Sequence, residues 1–315
     1  MQYAPVPTKR QLSKFANSIA SDSEARHVRR IEGGLGCTTD VLELSEPVDI
    51  RRRLILRRHG DWRENRAEGV VERELTAIRI ASAGDVPVPD LIWVDNEHIF
   101  DESAFVISYV DGEPLARYDR PGDWPEQTAT AIAQVHTAPL SNRAKTHLND
   151  IERLPDKWRS EREPSDKFTS HPQGVKIWER RQELLEITPK AETSFLHADF
   201  WTGNTLWKEG KLVSVIDWED AGFGDPAVDI SGCANDLRMS GFDEGADRFV
   251  DAYSKITGND LESLALWTIA GLAGGLGEIE RQLPSYHAAG WPELSAEDLV
   301  EIHDRLIERA LTETR

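Results

Sequence analysis

The stretch FLHADFWTGNTLWKEGKLVSVIDWEDAGFGDPAVDIS, residues 195–231, decides how this chain is read. It sets out His197, Asp199, Asn204 and Asp217, then a Gly-Asp-Pro turn at 224–226 and Asp229. The first three fit the spacing H-x-D-x-x-x-x-N, in which the aspartate accepts a hydroxyl proton and the asparagine, five residues on, holds a metal ion. Asp217 ends a short, mostly apolar run, 212–216, where a second metal-binding carboxylate belongs. Loop, strand, then carboxylate is the order phosphoryl transfer needs. A lone Asp in a loop is more often a turn or cap residue; the spacing to His197, Asn204 and Asp217 lifts Asp199 above that bland reading. Asn204 offers an amide oxygen and Asp217 a carboxylate, hard ligands suited to Mg2+ on the phosphates of a nucleotide. His197 is read as structural, its ring fixing the loop. Zinc on His197 and Asp199 is a weak alternative, because no third ligand stands at a helical or hairpin spacing.

Outside this block, composition narrows the class. With 315 residues, 39% hydrophobic content and ten tryptophans, the chain can build a substantial core in one large or two moderate domains. A net charge of −19 argues against nucleic acid as the main partner. It favours a cationic ligand through its long-range field, with plain solubility as the competing explanation. The longest apolar run, 264–277, is shorter than the roughly 20 residues that span a bilayer, so it reads as a buried, closely packed helix and no membrane partner is expected. The N-terminus shows no secretory apolar segment, and Cys37 and Cys233 lie far apart outside any metal-ligand spacing. Reducing cytoplasm is the expected location. Oligomeric state is not legible.

Along the chain, strands and one main helix come first. A short amphipathic helix is expected from 8 to about 20, strands at 28–31, 41–44 and 53–57, a helix at 67–83, and strands at 91–94 and 104–110. Pro87 and Pro89 enforce an extended exit from the helix. Asp111-Gly112-Glu113-Pro114 marks a turn at a plausible lobe boundary. Helical patterns follow at 125–136, 174–186, 242–256, 261–277 and 296–312, the last opened by a Ser295/Asp298 capping pair. Its buried stripe is expected to hold Leu299, Ile302, Leu306 and Ala310, joined by Val300 and Ile307. Segment 141–173 is polar and hard to assign. The expected plan is α+β and two-lobed, a small strand-rich N-terminal lobe over 1–110 and a larger, mostly helical C-terminal lobe over 111–315, with a nucleotide in the cleft between them.

HADFWTGN, VIDWEDA and GDPAVDIS together resemble the aminoglycoside phosphotransferase and choline kinase family, whose fold is similar to that of protein kinases. Weaker matches, among them GGLG at 33–36, LILR at 54–57, VEREL at 71–75 and FVISYVDGEPL at 105–115, extend the resemblance over roughly the whole chain. The resemblance implies that Arg57 contacts the phosphates and Glu74 holds Arg57 in place, with Arg58 and Glu72 as competing candidates. Arginine stands where protein kinases have lysine, and binds phosphate as a fork. Gly33, Gly34 and Gly36 would let backbone N–H groups approach phosphates, or form an ordinary hairpin turn. Ser108, Tyr109 and Val110 would be the hinge that meets a purine, adenine or guanine, so ATP or GTP is the expected co-substrate. Asp225 and Asp229 resemble structural carboxylates that brace the catalytic and metal loops. His136 is expected to pack in the core of the C-terminal lobe, and Trp201, Trp218 and Phe223 to shape the acceptor pocket or the core.

The acceptor implied is a small molecule with a hydroxyl group: an aminoglycoside or other antibiotic, a choline-like amino alcohol, or a sugar. Asp236, Asp243, Glu278 and Glu280 are candidates to receive a cationic acceptor, against the plain reading of solvated charges. A catalytically inactive nucleotide-binding regulator is the rival from another class. A protein kinase is disfavoured: no Ala-Pro-Glu follows Asp217, and the Gly-Asp-Pro turn leaves little room for a peptide-binding segment.

Overall fold

Leu42, Leu44, Leu54 and Leu56 sit two apart on neighbouring strands, so they share one face of a sheet. In the computed structural model, which describes residues 4–31, 37–47, 50–60, 69–115 and 120–312, that face lies beneath the first helix. The elements run α1 (Lys9–Ile19), β1 (Glu24–Ile31), β2 (Thr38–Glu46), β3 (Ile50–His59), α2 (Val70–Ala83), β4 (Leu91–Val94), β5 (Ser103–Ser108) and β6 (Glu113–Pro114). Strands β1 to β5 form an antiparallel sheet in the order β1-β2-β3-β5-β4. Thr8 starts α1 through a reciprocal capping box with Gln11. Leu12, Phe15 and Ala16 of that helix then close over the leucine face.

The helical part follows as α3 (Trp124–Thr137), α4 (Asn142–Lys145), β7 (Asn149–Asp150), α5 (Leu154–Arg159), α6 (Asp166–Thr169) and α7 (Gly174–Ile187). It continues through β8 (Ser194–Leu196), β9 (Thr205–Lys208), β10 (Lys211–Val215), β11 (Gly222–Gly224), α8 (Ala227–Met239), α9 (Asp243–Thr257), α10 (Leu264–Gly275), α11 (Leu283–Ala289) and α12 (Ala296–Thr312). Two small sheets, β10-β9-β6 and β7-β11-β8, are embedded in it. The segment that resisted assignment, 141–173, holds short pieces (α4, β7, α5, α6), too brief for periodicity to register. One apolar cluster runs from Leu75, Ile78 and Phe105 into Ile132, Phe195, Trp218, Ile230 and Phe249, so sheet and helices share a core.

Alternation on β3 sends its two arginines apart. Leu54, Leu56 and Arg58 point to the α1 side, while Ile55, Arg57 and His59 point toward α2. Arg58 is 1% exposed and pairs with the buried Asp40 at 2.6 Å. Asp40 also takes Arg30 Nε and His27 Nε2, each at 3.0 Å. Residues three apart on a strand ordinarily face opposite ways; the register shift between His27 and Arg29 brings His27 and Arg30 to the same carboxylate.

Two expectations for the helices are corrected. Ser295 and Asp298 do cap α12 reciprocally, but Val300 is exposed and His303 takes a place in the buried stripe beside Leu299, Leu306 and Ile307. The glycines of α10 do not all pack closely. A Cβ on Gly275 would lie 2.6 Å from the His303 ring, whereas one on Gly274 would meet nothing within 4 Å. Among the described residues no helix is long and apolar enough to cross a membrane. The glycines at 33, 34 and 36 lie outside the described residues.

Candidate active site

The polypeptide turns sharply after β8, and Asp229 holds the turn. Its Oδ2 accepts the His197 N–H at 2.9 Å and its Oδ1 the Ala198 N–H at 2.7 Å. Ala198 takes φ 63°, a left-handed conformation that costs a side chain energy and persists where surroundings impose it. Asp229 comes from the first turn of α8, is 2% exposed, and meets His136 Nε2 at 3.0 Å. The other nitrogen of His136 lies 2.7 Å from the Tyr253 hydroxyl. His136 is therefore part of a polar network and not simply an apolar-face packer.

His197 links two segments. Its Nδ1 accepts the Asp199 N–H at 3.3 Å and its Nε2 donates to the Ile216 carbonyl at 3.0 Å. Both contacts are made by one neutral tautomer, and burial lowers the imidazole pKa, favouring that form. Its ring lies 4.5 Å from that of Trp218, which is core, stacked on Phe195. The Ile216 N–H in turn donates to the Asn204 carbonyl at 2.9 Å. The next residue, Asp217, has φ 67°. The loop bearing Asp199 and Asn204 and the strand end bearing Asp217 are thus tied together on both sides. Asn204 Nδ2 donates to the Asp199 backbone carbonyl at 2.9 Å and its Oδ2 at 3.0 Å, leaving Asn204 Oδ1 for a cation.

Arg57 reaches this point from the sheet. Its Nε pairs with Glu74 Oε1 and its Nη2 with Asp217 Oδ1, each at 2.8 Å. Glu74 is 1% exposed and also pairs with His59 at 3.2 Å. Glu72 is exposed at the start of α2, and Arg58 faces the other side of the sheet. Arg57, Glu74, Asp199, Asn204 and Asp217 all line one open cleft of about 2070 Å³.

The cleft's electrostatics ask for a cation. Enclosure by the cleft walls, then the charges of Asp217 and Asp220, push the Asp199 carboxyl well above the usual range. Solvent still reaches it through the cleft mouth. The donors at hand are oxygens, which suit magnesium. Among the described residues no group of three or more His, Cys, Asp or Glu side chains forms a closed cage. An Asn–Asp pair completed by phosphate oxygens fits that pattern.

Several sequence expectations change. Asp225 does not brace the loops: its Oδ1 accepts the Ala227 N–H at 2.9 Å and its Oδ2 the Trp267 Nε1–H at 2.7 Å, tying α8 to α10. In the hinge, the Ser108 N–H goes to Asp90 O and the Tyr109 N–H to Arg53 O, so neither N–H is left for a base, although both residues line the cleft. Asp243 pairs with Arg309, Glu278 with Arg281, and neither of them nor Glu280 lines the cleft. Phe223 is buried under Lys145, and Trp201 does line the cleft.

One cleft residue went unread in the sequence, and one candidate changes its role. Arg29 lines the cleft beside Ile31, displaced there by the β1 bulge, which leaves no mark in composition. Asp236 lines it too, but accepts from the Thr202 N–H and hydroxyl, at 3.4 and 3.1 Å, and from Tyr286. The i, i+4, i+7 spacing of Gly232, Asp236 and Met239 on one helix was the available signal. Burial raises the Asp236 carboxyl to about 6. A folded acid that keeps its proton longer than the unfolded one costs nothing below about pH 4 and progressively more up to about pH 6. Asp236→Asn should therefore gain stability over the parent by on the order of 2 kcal/mol across that window. Urea titrations at several pH values check this; a pH-independent difference refutes it.

A strand-rich sheet over a helical body, with these groups in the cleft, defines a protein-kinase-like, two-lobed α+β fold. The model of the phosphotransferase enzyme family matches residues 28–267, and the chain belongs to that family. It is a small-molecule phosphotransferase acting on a hydroxyl group. No curated protein matches it by sequence. Among solved structures it is similar to spectinomycin phosphotransferase APH(9)-Ia in complex with ADP and spectinomycin (12% identity, 92% of each chain covered, TM-score 0.59). It is also similar to aminoglycoside phosphotransferase APH(4)-Ia (14% identity, 96% of this chain and 99% of that one, TM-score 0.61). A third is amicoumacin kinase hAmiN in complex with AMP-PNP, Ca2+ and Ami (17% identity, 86% of each, TM-score 0.55).

Proposed function

We propose that this enzyme moves the γ-phosphoryl group of ATP or GTP, held with Mg2+, directly to a hydroxyl of a small acceptor, as aminoglycoside phosphotransferases do. The observation that carries the reading is the convergence of Arg57, Glu74, Asp199, Asn204 and Asp217, distant in sequence, on one cleft. Asp199 receives the acceptor's hydroxyl proton and aims its oxygen along the phosphoryl axis. Arg57, clamped by Glu74, presents its guanidinium to the phosphates. Asn204 Oδ1 and the Asp217 carboxylate would hold the metal, which when bound would neutralise charge on the phosphate oxygens. His197 and Asp229 keep Asp199 and the metal ligands in register, and Asp225 secures α8 behind them.

The base fits between Ile31, Ile55 and Ile107 on the sheet side and Leu206 and Ile216 below, with Val110 as the hinge residue whose backbone meets it. The two lobes divide near residue 110. The glycines at 33, 34 and 36 would cover the phosphates. Acceptors in the family's range include antibiotics, choline-like amino alcohols and sugars; an antibiotic-resistance role and a cytoplasmic location belong to this proposal.

Asp217→Ala tests it. Magnesium-dependent nucleotide binding should weaken by at least about tenfold, while metal-free binding changes little. Calorimetric titrations with and without magnesium check this, and unchanged metal dependence overturns the assignment. A catalytically inactive regulator would show no nucleotide hydrolysis that depends on Asp199.

A further inference from the structure

The cleft is partitioned by charge. The lining arginines, Arg29 and Arg57, lie on the strand-rich side where a triphosphate would sit, and Lys208, at the end of β9, is paired with Asp111 at 2.9 Å. Carboxylates crowd the transfer point: Asp199, Asp217, Glu219 and Asp220. Beyond them the walls come from the turn at 202–204 and from α8, α10 and α11. There the described lining residues include no Lys or Arg, and two carboxylates, both already engaged: Asp236 by Thr202 and Tyr286, and the buried Asp229 by His136 and the His197 and Ala198 N–H groups. Burial lowers the pKa of His303, whose Nε2 meets the Leu272 carbonyl. Among the other polar groups on these walls are the amides of Asn235 and Gln282 and the hydroxyl of Ser285.

Trp201 gives this half its shape. Its ring lies against Gly203, where a Cβ would come within 2.3 Å of the indole, and meets Tyr286 edge-on at 5.8 Å. The indole is thereby fixed, half-buried, along the cleft wall. The α8 stripe that also lines the cleft includes Gly232, where an added Cβ would meet nothing within 4 Å. A fixed aromatic face with neutral hydrogen-bonding groups and open room suits a flat, hydroxylated ring. Such a ring lays its C–H face on the indole and its hydroxyls on amides and hydroxyls. Ammonium groups reaching past the transfer point into this half would lose hydration and meet only carboxylates already hydrogen-bonded within the protein, and an anion would gain no Lys or Arg.

We infer that the acceptor is an uncharged, ring-built polyol, a neutral sugar or glycoside seated on Trp201, and not a polycation. This rests on the phosphotransferase reading above. Nucleoside diphosphate release is measured with matched acceptors: N-acetylglucosamine against glucosamine, and maltose against kanamycin. The neutral member of each pair should show the higher kcat/KM, by about tenfold or more. Trp201→Ala should raise the KM for the neutral member by about tenfold with nucleotide KM within about twofold, and Gly232→Leu, which fills open space, should act in the same direction. If no acceptor turns over, calorimetric binding of the four to Asp199→Asn decides in the same way. Equal or better use of the amino members, insensitivity to Trp201→Ala, or no binding of either neutral sugar overturns the inference. Failure of the phosphotransferase reading looks different: magnesium-dependent nucleotide binding would survive Asp217→Ala, or acceptor-free hydrolysis would survive Asp199→Asn.

Discussion

Asp199→Asn lowers phosphoryl transfer by about 10³-fold while nucleotide affinity stays within about twofold. The amide keeps the shape of the side chain and its contact with Asn204, but it cannot take a proton from an alcohol. Because Asp199 stands apart from Arg57, whose partners are Glu74 and Asp217, the nucleotide contacts need not change. Single-turnover rates and equilibrium nucleotide binding, measured on the same preparation, separate the two effects. Turnover within about tenfold of the parent would remove Asp199 from the chemistry.

Asp229→Ala has the largest expected effect on stability, about 3 to 5 kcal/mol, or a melting temperature lower by about 5 to 8 °C. It strips two buried backbone N–H groups, those of His197 and Ala198, of their acceptor and leaves His136 without one of its partners. Asp229→Asn should recover little. One amide oxygen can satisfy one N–H, but the amide nitrogen then faces the other as donor against donor. Activity should fall further than stability alone accounts for, since the left-handed Ala198 loses what holds it. Thermal melts of both variants, with activity measured well below the transition, provide the check. A melt within about 1 °C of the parent would show that the loop is held by something else.

The spacing of His197, Asp199 and Asn204 was legible because the loop that carries them is local: the Asn204–Asp199 contacts span five residues. Long periodic segments were legible for a similar reason, and α2, α9 and α12 lie close to where their apolar repeats place them. Short pieces between 141 and 173 were not, since a single turn of helix carries no period. Acidity misled. Of the acidic residues taken as candidates for a cationic acceptor, Asp243 and Glu278 are paired on the surface, while Asp236 alone lines the cleft, 9% exposed.

By itself the sequence determined the family, the α+β plan and the order of the residues around Asp199, because those depend on local spacing and on the amount of apolar surface each segment carries. Tertiary structure decided which arginine of the pair 57 and 58 faces the cleft, and that Arg57 joins Glu74 to Asp217. It also decided that a bulge carries Arg29 into the cleft, and that Asp229 supports the loop while Asp225 serves the helices. Those outcomes follow from which face of each element is buried against which neighbour. A one-residue shift in a strand reverses that face without altering a letter of the chain's composition.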